Sequence, residues 1–334
     1  MIDLVAVESL VAVERCGSVV GAADELGFTP SAVSQQVKRL ERQVGVPLLD
    51  RAGRGVVLTA AGRRLVDEGR SLRVAVEGLR SRLQGEGGRP SGLLRLAAFS
   101  TAVRGIVPPM LDALRASAPD LDVIVHEVEP WDAVAEVAAG RTDMAIVHRW
   151  EGMRFHVPPT VRGEPVLTDV ADVLVHVDDP LASQESVTPA DLMTHLWVST
   201  PEGTICHEWF SHMFAATPQA PRVGFRCVEF ASQVELVAHG LAVALVPRLG
   251  RGHLPSTVVA VPVLDPVPTR RVDVHWRASM GESPAVDAVR AALRRGTVGM
   301  VFQQFNLIPS LTVGANIAFQ ARLSGRHDPV WDKT

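Results

Sequence analysis

The sequence is poor in lysine and in cysteine and has no long apolar run, and each shortage excludes something. Only two lysines occur, Lys38 after Val37 and Lys333 after Asp332. Neither stands in a G-x-x-x-x-G-K-[ST] loop, so the chain lacks the lysine that reaches nucleotide phosphates in P-loop enzymes. The three cysteines (Cys16, Cys206, Cys227) form no C-x-x-C pair. An odd number of thiols suits a reducing compartment better than a disulfide scaffold. No apolar run approaches the ~18 residues of a membrane span; "GLAVALVP" is among the longest and is strand-sized. The opening "MIDLVAVESLVAVERC" carries Asp3 and Glu8 where a signal peptide carries basic residues. These absences point to the cytoplasm and away from a membrane. No nucleophile elbow or Ser/His/Asp arrangement stands out. In "CHEWFSH" the two histidines, His207 and His212, are five residues apart, which misaligns them on a helix face. The expectation is a protein that is not an enzyme and carries no metal or cofactor.

What is present is an ordinary packed composition, 47% apolar and 21% charged, in a chain long enough for two domains. Its formal net charge of −4 excludes a uniformly basic coat, so charge has to be read by segment. Leu4, Val7 and Val11 fall at helical spacing, and Gly17 ends that helix. Ser18 caps a second helix, "VVGAADELG", and Gly27 suits the left-handed turn after it. Thr29-Pro30 opens a third, with threonine as cap and proline in the first turn. In that helix Val33, Val37, Leu40 and Val44 share one face, and Ser31, Gln35, Lys38 and Arg42 lie opposite, flanked by Ser34. Glutamine can pair with adenine, and lysine and serine with guanine or phosphate. Two helices joined by a tight turn, the second bearing such a face, form a helix-turn-helix; the plain alternative is a solvated face. "VPLLDRAGRGVVLTAAG" then reads as a β-hairpin wing with Arg51 and Arg54 on its turn. From Phe28 to Arg64 seven basic residues meet two acidic ones, a local +5 of the kind that binds phosphates.

The run "GSVVGAADELGFTPSAVSQQVKRLERQVGVPLLDRAGRGVVLTAAG" resembles the winged helix-turn-helix of LysR-type transcriptional regulators. The pattern of small residues, Ser/Thr-Pro, Ser-x-x-(Val/Ile)-x-x-Leu-Glu and Leu-Thr-x-Ala-Gly is met; the usual phenylalanine of the "LF-x-R" step is Leu49 here. The resemblance implies a DNA-binding domain over 1–58, contacting promoter DNA through Thr29, Ser31, Ser34, Gln35, Lys38, Arg39, Arg42, Arg51 and Arg54. From Thr59 to Gly85 a helical pattern places Leu65, Gly69, Leu72, Val76, Leu79 and Leu83 at alternating four and three spacings, with Gly69 as the weak position. Such a stripe suits pairing between subunits or docking on the chain's own second domain. In LysR-type proteins the equivalent helix, here 59–88, pairs two subunits, which implies a dimer and a dimer of dimers, with RNA polymerase as a further partner.

After "GEGGRPSG" the chain alternates strand-like and helix-like runs, which predicts an α/β module over 92–295 with mostly parallel strands. The fold class expected overall is α+β and multi-domain. In LysR-type proteins this module resembles a periplasmic binding protein, two lobes around a cleft, with the second lobe at about 165–265. Carried over by position, Ser100, Thr101, His148, Thr200, Gly203, Glu229 and Phe230 would line the cleft and bind a small, anionic effector. Each has the plainer reading of loop or core packing. Cys206 and Cys227 read as ordinary buried thiols, although one subset of the family senses oxidants through cysteines in this lobe.

The last forty residues differ in kind. "TVGMVFQQFNLIPSLTVGANIAFQARLSGR" resembles the Q-loop region of ATP-binding cassette transporter ATPases, with Gln303 as the Q-loop glutamine. Without a Walker lysine or an "LSGGQ" signature, transport ATPase activity is excluded. The segment 296–334 reads as a foreign, poorly ordered tail without function. Two other readings stand beside the regulator: a non-functional fusion product, and a ligand-binding α/β protein whose N-terminal helices only dimerise.

Overall fold

A computed structural model of the chain describes residues 2–52, 55–85 and 88–304. The first three helices start and stop where the capping residues place them. In α1 (Leu4–Cys16) the Asp3 side chain accepts from the Val5 N–H, and Gly17 closes the helix in the left-handed conformation. Ser18 caps α2 (Val19–Leu26), and Thr29 caps α3 (Pro30–Val44) by accepting from the Ala32 N–H at 3.2 Å. Val33, Val37 and Leu40 of α3 are buried against Leu10, Ala12, Val13, Ala22 and Ala23 of the first two helices. The wing is a two-stranded antiparallel hairpin, β1 (Leu49–Ala52) and β2 (Gly55–Leu58), with Leu49 opposite Leu58. Arg54 at its tip lies outside the described residues, and of Arg51 only the backbone is described.

The linker is one 26-residue helix, α4 (Ala60–Gly85). Gly69, expected as the weak position of an intersubunit seam, has a different job. A Cβ there would overlap the Val7 side chain, so the glycine is what lets α1 lie against α4. Val66, outside the seam phase, joins the same core with Leu10 and Leu40. Farther along, Leu72 and Leu79 keep the expected phase and are about half exposed, at 43% and 51%.

The second module carries β3 (Gly92–Ala98), α5 (Ser100–Gly105), α6 (Val107–Ser117), β4 (Leu121–Glu127), α7 (Pro130–Ala139) and β5 (Met144–Trp150). Then follow β6 (Val161–His176), β7 (Leu196–Ser199), α8 (Ile205–Met213), β8 (Arg222–Arg226), α9 (Phe230–Ala238), β9 (Val243–Pro247), β10 (Val258–Pro262), β11 (Thr269–Arg277) and α10 (Pro284–Gln304). Strand order is β4-β3-β5-β11-β6-β9-β7-β8, with β10 beside β6. The expectation of mostly parallel strands needs correcting. β3 is parallel to β4 and β5, and β7 to β8 and β9, but β11 is antiparallel to β5 and β6, and β6 to β9 and β10. The parallel pairs belong to the βα alternation within each lobe. Each of these antiparallel pairs involves β6 or β11, the two long strands that pass between the lobes. The first half of β6 pairs with β11 and its second half with β9 and β10, so one 16-residue strand serves both lobes. α10 runs unbroken past Arg295 to Gln304, where a boundary was expected; the rest of the tail lies outside the described residues.

The contact between wing and linker is the most restrictive in the N-terminal domain. A Cβ on Gly62 would overlap the Leu48 carbonyl oxygen, a backbone atom that cannot rotate away. Alanine is intrinsically favoured in a helix by about 1 kcal/mol, yet Gly62→Ala should destabilise the domain by about 1–3 kcal/mol through overpacking. Urea unfolding of the two proteins checks this; an equal or higher midpoint for the variant would refute it.

Candidate DNA-binding face and effector cleft

The two faces of α3 divide cleanly. Ser31, Gln35, Lys38, Arg39 and Arg42 are exposed and Ser34 is half-buried, while Thr29 is occupied as the cap. Gln36, one residue from the exposed face, accepts from the buried Ser9 hydroxyl at 2.5 Å and so fastens α3 to α1. Glu41 turns inward as well, accepting from the N–H groups of Leu48 and Leu49 at 2.8 and 3.2 Å. That carboxylate sets where β1 begins relative to α3, a positioning role the sequence reading did not assign. Arg39 lies 3.4 Å from the Asp3 carboxylate, a loose and exposed pair of small energetic weight. Lys38 and Arg42 border an open concavity of about 550 Å³ between the end of α3 and Val46–Pro47, leading to the wing. A convex helix with cationic and amide side chains, next to a hairpin, has the shape and charge to enter a major groove.

In the second module the residues expected to line a cleft do not converge as one set. Thr101, His148, Thr200 and Phe230 are buried, Ser100 is half-buried, and Gly203 and Glu229 are exposed. The group at the centre is Arg270, which sequence reasoning passed over. It is fully buried on β11, opposite Trp150 of β5 and Asp169 of β6. Its Nε donates to Asp169 Oδ2 at 2.9 Å and its Nη2 donates to Thr101 Oγ1 at 2.8 Å. The guanidinium also lies over the rings of Phe99 and Trp150, 5.2 and 5.6 Å from their centroids. Its Nη1 has no hydrogen-bond partner, and neither do His148 Nδ1, Trp150 Nε1 and Trp209 Nε1 nearby. His148 packs edge-on to Phe99, 4.5 Å between centroids, and Trp150 stacks on Trp209 at 4.9 Å. Burial, and secondarily the Arg270 charge, hold the His148 imidazole well below its usual pKa, so it is neutral.

A signal for Arg270 was present. In "TRRVDVHWR" it shares the phase of Val272, Val274 and Trp276, the apolar face of the strand, whereas Arg271, Asp273 and His275 take the other. A charge in phase with a core is either paired or poised for a ligand.

A small cavity of about 20 Å³ is bordered by Trp150, which lies under Arg270, and by Ser199, Thr200, Cys206, Phe230 and Gln233. That space holds about one water. Glu129, at the start of α7, faces the Ile205 N–H of α8; burial raises its pKa and that N–H partly offsets the rise. His207 is engaged locally, its Nδ1 3.1 Å from the Thr200 carbonyl oxygen. Among the described residues no group of three or more His, Cys, Asp or Glu is placed to hold a metal, and no helix is long and apolar enough to cross a membrane.

A winged helix-turn-helix joined by a long helix to a two-lobed α/β module with a polar, aromatic-walled junction defines a ligand-responsive DNA-binding regulator. Residues 4–63 match the bacterial regulatory helix-turn-helix protein, lysR family, and residues 87–297 match the LysR substrate binding domain. The chain belongs to the LysR family of transcriptional regulators. It is 25% identical over 258 residues to the DNA-binding transcriptional dual regulator OxyR of Escherichia coli (strain K12), covering 77% of this chain and 83% of that one. Its fold is similar to that of a full-length OxyR variant from Pseudomonas aeruginosa, with a TM-score of 0.69 at 21% identity over 88% of this chain and 98% of that chain. Full-length CbnR complexed with its target DNA is also similar, with a TM-score of 0.50 at 21% identity over 89% of this chain and all (100%) of that one.

Burial pushes the Cys206 thiol up to about 11. At pH 8 only about 0.1% of it is thiolate, so iodoacetamide should alkylate Cys206 about 200-fold more slowly than an unperturbed cysteine. Mass spectrometry of timed digests checks the rate. Labelling as fast as that of free cysteine would show an accessible, unshifted thiol.

Proposed function

We propose that this regulator binds promoter DNA in the cytoplasm as a homodimer, pairing further into a dimer of dimers, and changes its grip when a small organic anion enters the cleft beside Arg270. The division 1–58, 59–88 and 92–295 assigns DNA contact, subunit pairing and effector binding in that order, and the segment from 296 adds nothing to them. On DNA, Gln35 with Ser31 and Ser34 reads base edges. Thr29, Lys38, Arg39, Arg42 and the wing arginines Arg51 and Arg54 hold phosphates. The half-exposed Leu72 and Leu79 on α4 support pairing of subunits through that helix, which spaces two copies of α3 along the duplex. RNA polymerase is the partner through which a change of grip acts on transcription. Recognition is the whole of the chemistry; no bond is made or broken.

One observation carries the effector reading: a fully buried guanidinium with an unpartnered nitrogen, packed over the rings of Phe99 and Trp150. A carboxylate accepts from such a fork with charge-assisted hydrogen bonds. The site residues are then Arg270, Thr101, His148 and Trp150 from the first lobe and hinge, with Thr200 and Phe230 on the second-lobe side. Ser100, Gly203 and Glu229 lie at the rim. An oxidant-sensing role for Cys206 is disfavoured by its raised thiol pKa, because the thiolate is the reactive form.

Two measurements test this reading. In gel shifts on DNA from upstream of its own gene, Gln35→Ala should weaken the specific complex by about 1–3 kcal/mol relative to random DNA. Lys38→Ala should weaken all complexes alike and lower the salt slope by about one. Unchanged binding by the double variant would exclude α3 as the reading helix. For the cleft, a panel of small carboxylates is screened for compounds that alter the shift. Arg270→Lys keeps the charge beside Asp169 but loses the fork, and should cut effector potency about 10- to 100-fold while DNA binding without effector stays the same. Full response in that variant would remove Arg270 from the site.

A further inference from the structure

A second concavity, separate from the cleft, opens on the other face of the first lobe. It has a volume of about 290 Å³ and is lined by Arg149 of β5, Arg271, Asp273 and His275 of β11, Gly163 and Pro165 of β6, and Phe155 and Val157 of the intervening loop. Because side chains alternate along β11, these polar residues point away from Val272, Val274 and Trp276, and away from Arg270. Nothing in the DNA-binding or effector reading above uses them.

The charges have a definite order. Asp273 is almost buried and accepts from Arg149 Nε at 3.0 Å, while Arg271 stands 3.9 Å away and nearly half exposed. Two guanidinium groups thus share one carboxylate, leaving a net positive end. The remaining carboxylate at the border, Glu164, is turned to the opposite face and held by Arg290 and Arg294 at 2.5 and 3.3 Å. It therefore does not oppose an anion in the concavity. Phe155, Val157 and Pro165 supply an apolar wall.

The other end is set by His275, which is only 6% exposed and has no partner on either ring nitrogen. Burial, opposed by Asp273 and reinforced by Arg149, lowers its pKa, so the ring is neutral. The ring lies over Gly163, where a Cβ would come within 2.7 Å of it. Glycine at that position is thus the seat that lets an imidazole form the floor. Both ring nitrogens are closed off, so His275 borders the concavity as a wall and offers it no hydrogen bond. At the rise of a strand, Arg271 and His275 are separated by about 13 Å along β11, and Asp273 and His275 by about 7 Å. The long arginine side chains reach inward over part of that distance.

We propose that this concavity is a second small-molecule site, which takes a flat, apolar carboxylate. The carboxylate meets Arg271 and the outer edge of Arg149, and the body lies on Phe155 and Pro165 with its far end toward His275. The site is independent of the cleft at Arg270, and its ligand acts on the same strands, β5, β6 and β11, from their opposite face.

The test uses the full chain and 4-hydroxybenzoate as probe, with acetate as the control that lacks the apolar body. Titration calorimetry is run on the unmodified protein, on Arg271→Met and on Arg270→Lys. 4-Hydroxybenzoate should bind the unmodified protein and Arg270→Lys, and bind Arg271→Met about tenfold or more weakly; acetate should bind all three weakly. In protein labelled with ¹³C at histidine Cε1, the resonance that disappears in His275→Asn should shift as 4-hydroxybenzoate is added to the unmodified chain, a readout that needs no arginine variant to fold. Failure of 4-hydroxybenzoate to bind the unmodified protein, or a His275 resonance that does not move on binding, overturns the proposal. Binding lost in Arg270→Lys but kept in Arg271→Met also overturns it, and would place the carboxylate in the cleft alone.

Discussion

The effector module is organised around one buried ion pair, Arg270 with Asp169. A fully buried guanidinium is tolerable only with partners, and removing one member of such a pair strands the other charge. Asp169 also accepts from the Leu249 N–H at 3.0 Å, and Arg270 reaches Thr101 at the start of α5. The pair therefore ties together β6, β11, the turn after β9 and the first turn beyond β3. Gly250 completes the junction. It has φ +68°, and a Cβ there would come within 2.6 Å of the Thr101 carbonyl oxygen. Both long strands that link the lobes, β6 and β11, contribute to this junction.

A second buried arginine anchors the same lobe from its far end. Arg277 donates to the Val137 and Thr142 carbonyl oxygens and to Asp143 Oδ1, and Asp143 in turn accepts from the Arg95 N–H at 2.7 Å. These bonds join the end of α7 to β3, β5 and β11. The first lobe is thus clamped at both ends of β11. Between the clamps, that strand presents its apolar phase to α6 and α10 and its polar phase to the concavity around His275. One strand thus separates two chemically different faces.

The N-terminal domain solves a different problem, which is to expose polar groups on a helix while holding that helix still. Its rigidity comes from the buried valines and leucine of α3 and from Gln36 and Glu41. Those two polar residues sit beside the exposed polar set in sequence and point elsewhere in space. Helical spacing identifies the exposed set, and capping chemistry locates all three helix starts, because both depend on residues a few positions apart. Gly69 shows the converse. Its partner, Val7, is far away in sequence, and a missing side chain in a heptad stripe looks like weakness until the crossing helix is seen.

Much of the architecture was therefore determined by the sequence alone: three capped helices, a wing, a long linker helix, and the alternating strands and helices of an α/β module. Each follows from local periodicity and local hydrogen bonding. The tertiary structure decided strand direction between the lobes, the docking of α1 on α4, and the contents of the cleft. Arg270 reaches Thr101 across 169 positions of chain and Asp169 across 101. No local pattern encodes which distant carboxylate or hydroxyl a buried cation will meet. The phase of β11 shows only that Arg270 must be inside; long-range packing alone brings its partners to it.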